Sequence, residues 1–209
     1  MTTSLAPTSA ADAAVFAWSK RVRRIGGFIQ VAFAVFWLVR GSLNIHGPTG
    51  KVLAVLFAVA TIAVVAYGVR ATAGLAPRPT SAEAKHLERA ITIATIAQLV
   101  ASFAAPAIVV AARHSDWLLP SIAVTIGPLL LWLDHRVGVP RYRPAGWALI
   151  VGPVVLVAIF SGTALAATTG IAAGALLLGI ATAGFHDLAT GVPTRTGTDR
   201  PATGVGGRS

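Results

Sequence analysis

"KVLAVLFAVATIAVVAYGVR", residues 51–70, carries eighteen uncharged residues between Lys51 and Arg70. A helix needs roughly 17–25 mostly apolar residues to cross about 30 Å of hydrocarbon. The stretch is long enough, and it has no polar face to turn toward water. It is therefore read as a membrane span. The question is whether the rest of the chain follows the same rule.

It does. Of 209 residues, 55% are hydrophobic and 11% are charged, against about 25% charged in a soluble domain. The apolar residues fall in blocks. Spans are expected at about 25–45, 52–69, 90–112, 117–133, 145–160 and 163–185. The expected fold is all-α: a polytopic membrane protein with a bundle of six transmembrane helices and disordered termini. Residues 1–10 and 190–209 are small and polar, rich in Ser, Thr, Ala, Gly or Pro, and read as loose tails. Residues 11–24 are expected as a basic amphipathic lead-in. Its apolar arc includes Trp18, beside Lys20, Arg23 and Arg24. That arc suits either a helix lying in the headgroup region or a charged approach to the first span. The first span is too late and too long for a cleaved signal peptide.

Charge orients the bundle. With the N-terminus inside, the inner segments hold fourteen of the seventeen Lys and Arg, and the outer ones hold Arg40, Lys51 and Arg113. Such an excess marks the cytoplasmic side. Both ends are thus expected in the cytoplasm of a bacterium, whose inner membrane the chain crosses six times. The net charge of +10 is explained this way. No groove-reading or base-stacking module suggests nucleic acid as a partner. There is no Cys, which excludes disulfides, thiolate metal sites and thiol nucleophiles.

Four polar or small-residue features stand out. In "LWLDHRVGVPRYRP" (131–144), Asp134 and His135 leave the fourth span, and "FHDL" ends the sixth on the same side. Asp134, His135, His186 and Asp187 are candidates for holding a metal or passing a proton. Neighbouring residues on a helix point about 100° apart, so each pair offers one good ligand at most. The competing reading has Arg136, Arg141, Tyr142 and Arg143 anchoring a loop at the headgroups. Thr92, Thr95, Gln98 and Ser102 form a stripe along the third span. It is either interhelical packing or a solute pathway, with Gln30 of the first span a candidate partner. Gly127-Pro128 and Gly152-Pro153 repeat one dipeptide at similar depth in the fourth and fifth spans. They are either packing kinks or a paired helix-break site. Ala166, Gly170 and Gly174 give the sixth span a face for close helix contact within or between subunits.

None of the seven acids lies in the middle of a span, where a proton-driven pump or an intramembrane aspartyl protease needs one. No hydrolase elbow, phosphate loop or zinc-protease motif is present. No catalytic residue, cofactor or metal centre is expected.

Taken together, "GFIQVAFAVFWLVRG", the basic proline-containing connector, "LLPSIAVTIGPLLLWL" and "VPRYRPAGWALI" resemble a loose group of uncharacterised six-span bacterial integral membrane proteins. The likeness covers most of the chain and is one of hydrophobicity with a few Gly and Pro. In that group the Gly of the fourth span precedes a polar and aromatic pair. Here Pro128 and Leu129 follow Gly127, so no site residue carries over, and the resemblance implies no activity. The expectation is a structural or accessory membrane component, with the lipid bilayer and a second copy or another membrane protein as partners. The alternative is a small-solute permease using the third-span stripe and the Gly-Pro positions.

Overall fold

The computed structural model describes residues 10–73, 82–137 and 141–190. Six α-helices follow one another: α1 (Ala10–Leu43), α2 (Pro48–Ala71), α3 (Ala82–Ala111), α4 (Leu118–Val137), α5 (Tyr142–Ile159) and α6 (Gly162–Thr190). A single 3-10 turn, Ser115–Trp117, leads into α4. There is no strand among the described residues. Among the described residues, six helices are long and apolar enough to cross a membrane.

The boundaries differ from the expected ones for local reasons. The lead-in and first span are one helix of 34 residues, about 51 Å long. No break lets residues 11–24 form a separate helix in the plane of the headgroups. The side chains of 10–23 lie outside the described residues. α2 starts four residues early because Pro48 suits a first helical position, where no N–H is needed. α3 begins at Ala82 and extends about 12 Å beyond the expected start of its span. It ends in a Schellman cap. His114 N–H donates to the Val109 carbonyl, Arg113 N–H donates to the Val110 carbonyl, and Arg113 takes the left-handed φ of 62°. α5 and α6 are joined by Phe160 and Ser161 alone. Gly162 supplies the positive φ of 56° that so short a reversal requires. Thr190 closes α6, and the rest of the expected tail, like residues 1–9, lies outside the described residues.

α6 is the hub. It packs on α1 along most of its length and touches α2, α4 and α5. α4 pairs with α5, and α3 lies at the edge against α4 and the 3-10 turn. The core runs through Val31, Ala34, Trp37 and Leu38 of α1, Ala123 and Leu130 of α4, and Leu177, Ala181 and Phe185 of α6. α2 and α3 leave most of their apolar side chains outward, among them Val55, Ile62, Ile96 and Phe103. In a bilayer that surface faces lipid.

Ties at the two ends define two levels. At one, Tyr67 of α2 meets His186 of α6 and Arg141 before α5 meets Asp187 of α6. At the other, the Gly162 N–H donates to Asp116 Oδ2 at 3.2 Å. The chain therefore alternates direction at each turn, and the described ends, Ala10 and Thr190, lie on one side.

Candidate functional site

The deepest polar cluster joins α3 to α4. Gln98 Nε2 donates to Ser102 Oγ at 2.9 Å and to Thr125 Oγ1 at 3.1 Å. The two hydroxyls are 3.3 Å apart. Ser102 is nine residues before Ala111, and Thr125 is ten after Ser115. At 1.5 Å per residue both lie about 14–15 Å from the same end, near the middle of the hydrocarbon. Each helix also carries a proline one turn further along, Pro106 in α3 and Pro128 in α4. Lacking an N–H, these leave the carbonyls of Ser102 and Val124 without their helical donors. The cluster thus sits in the two turns where backbone acceptors are freed.

The rest of the stripe does not line a path. Thr92 and Thr95 are exposed, and their hydroxyls donate to their own helix, at the Glu88 and Ile91 carbonyls. Gln98 bonds across to α4 and not to Gln30, which is buried on α1. Thr125 is the partner that sequence reasoning missed. Its signal was faint, being one hydroxyl in "AVTIGP" on the neighbouring hairpin arm.

The Gly-Pro dipeptides do not converge. Both helices continue through their prolines. Pro128 is exposed and Pro153 is buried, so they face different surroundings. A Cβ on Gly152 would meet nothing within 4 Å, whereas one on Gly127 would lie 2.7 Å from the Gly146 carbonyl oxygen. The close approach of α4 and α5 is therefore Gly127 on Gly146. The structure does not bring the two dipeptides together, because Gly127 faces Gly146 while Gly152 meets no neighbour.

Asp134, His135, His186 and Asp187 do not form one centre. His186 Nδ1 is 3.1 Å from the Tyr67 hydroxyl, toward α2. Asp187 pairs with Arg141, toward α5. The 100° step between neighbours sends the two side chains to different helices. Asp134 is half-buried and His135 exposed. No group of three His, Asp or Glu that could hold a metal occurs among the described residues. Arg141, expected as a headgroup anchor, pairs with Asp187 of α6 while about a quarter of its side chain stays exposed.

The small face of α6 is used inside the chain. A Cβ on Gly170 would come within 2.6 Å of Gly41 Cα, and one on Gly174 within 2.5 Å of Leu38 Cγ. Both glycines are buried, and Ala166 packs at the edge of the core. This face is closed by α1 and is not free for a second subunit. A related fit holds the other end of α6. Phe185 is fully buried, with its ring between Gly27 of α1 and Gly68 of α2. Cβ atoms there would lie 2.7 and 2.6 Å from it. Phe28 lies at 5.0 Å between ring centroids, tilted.

No protein-family model, no curated protein and no solved structure matches this chain.

Proposed function

We propose that the protein is a structural or accessory component of the bacterial inner membrane, with both termini cytoplasmic, rather than an enzyme or a permease. The observation that carries this reading is the engagement of Gln98. A glutamine deep in a span must find protein or water for its amide, and these amide N–H groups bond within α3 and to α4. The other intramembrane features agree. Gly127 serves the α4–α5 crossing, and Gly170 and Gly174 serve the α1–α6 crossing. What remains outward is apolar surface on α1, α2, α3 and α5, open to lipid, to a second copy or to another membrane protein.

Native mass spectrometry on the gently solubilised full chain, expressed in its own host, tests this. A stoichiometric second protein or second copy is the expected result. A lone chain holding a small molecule that Gln98→Leu removes, together with loss of solute uptake in a folded protein, would overturn it in favour of the permease.

A further inference from the structure

Between α1 and α2 a groove of about 250 Å³ opens on the side of the bundle. Its walls include Val35, Leu38 and Val39 of α1 and Ala54, Phe57 and Ala58 of α2. The two alanines are exposed, and their small side chains leave the space. Ser42, which also borders the groove, donates its hydroxyl to the Leu38 carbonyl at 2.7 Å, so it offers an occupant no free proton. Thr61, next to Ile62, is the other polar side chain on the lining, and the rest is apolar.

The mouth is charged. Lys51 precedes Ala54 by three residues and Ala58 by seven, so it continues the same stripe of α2 one turn nearer the membrane surface. It is exposed. The first turn of α2 holds no acid. Asp116, the described acid at this end of the bundle, accepts from Gly162. From Lys51 to Ile62, at the groove's inner end, is eleven residues, or about 16 Å. A cation at the interface above an apolar channel running inward has the polarity of one lipid: an anionic headgroup above an acyl chain.

We propose that the α1–α2 groove seats an acyl chain of an anionic phospholipid whose phosphate is held by Lys51. A second copy fits less well. A two-fold contact repeats the same patch on both sides, which would set the two Lys51-bearing stripes against each other.

The test uses the purified full chain, stripped of lipid in detergent. It is offered equal amounts of phosphatidylglycerol and phosphatidylcholine with identical chains, and retained lipid is counted by native mass spectrometry. One phosphatidylglycerol is expected, preferred about fivefold for a single lysine at the surface. Lys51→Gln should keep one lipid and lose the preference. Ala58→Phe, which fills the groove from an exposed position, should keep neither lipid while eluting as a folded protein in the same oligomeric state as the parent chain. Ile93→Phe, on the outer face of α3, should behave as the parent chain. Equal retention by the parent chain and Ala58→Phe overturns the site. An unchanged preference in Lys51→Gln overturns the headgroup assignment. A second copy bound in place of lipid, and lost in Ala58→Phe, also overturns the proposal.

Discussion

Thr169 on α6 is 1% exposed, and its hydroxyl has no hydrogen-bond partner. A buried donor left unmade costs free energy, while an apolar group of the same shape does not. Thr169→Val should therefore stabilise the protein by about 1 kcal/mol, read as a higher melting temperature in detergent. A lower one would show that the hydroxyl is satisfied. Phe185 makes the opposite case. Its ring is flanked by Gly27 and Gly68 on opposite sides, so moving away from a new methyl group at one drives it toward the other. Gly68→Ala should destabilise by about 1–3 kcal/mol through overpacking. Phe185→Leu, costly alone, should offset part of that in the double variant, because residues in contact are not additive. Strictly additive losses would contradict the fit. Little of this was legible in the sequence. Gly27, Gly68 and Phe185 lie on three helices, and nothing in their local pattern distinguishes a ring's socket from an ordinary Gly in a span.

α3 is joined to α4 by a polar contact, from Gln98 and Ser102 to Thr125. Its apolar face looks outward, and it packs on α4 and the adjoining turn. The Gln98–Thr125 bond should couple them by about 0.6 kcal/mol, typical of interhelical hydrogen bonds in membranes. A double-mutant cycle with Gln98→Leu and Thr125→Val measures that coupling; a value of zero would make the contact incidental. The existence of each helix was legible, because long apolar blocks have few alternatives in lipid. The pairing of helices was not. Lipid-facing and helix-facing positions are both apolar, so hydropathy does not separate them. Two partial successes show where signal survives. The stripe through Gln98 was read as interhelical packing or a solute pathway, and the small face at Ala166, Gly170 and Gly174 as a close helix contact. Of the stripe, Gln98 and Ser102 make the contact and Thr92 and Thr95 do not, and the partner is Thr125 rather than the expected Gln30. The face at Gly170 and Gly174 meets Gly41 and Leu38, which nothing in the sequence pointed to.

For the molecule as a whole, the ties at its two ends agree with six alternating crossings. The Gly162–Asp116 bond joins the α3–α4 and α5–α6 turns at one end. The Arg141–Asp187 pair and the Tyr67–His186 contact join α2, α5 and α6 at the other. Of the thirteen Lys and Arg among the described residues, ten belong to the segments at that second end, the pattern expected of a cytoplasmic side. Because the chain has no Cys, one introduced thiol reports its own location without interference. Ser161 is exposed in the two-residue α5–α6 turn. Ser161→Cys in intact cells should react with a membrane-impermeant maleimide added from outside. Labelling that appears only after lysis would contradict the six-span arrangement with cytoplasmic ends.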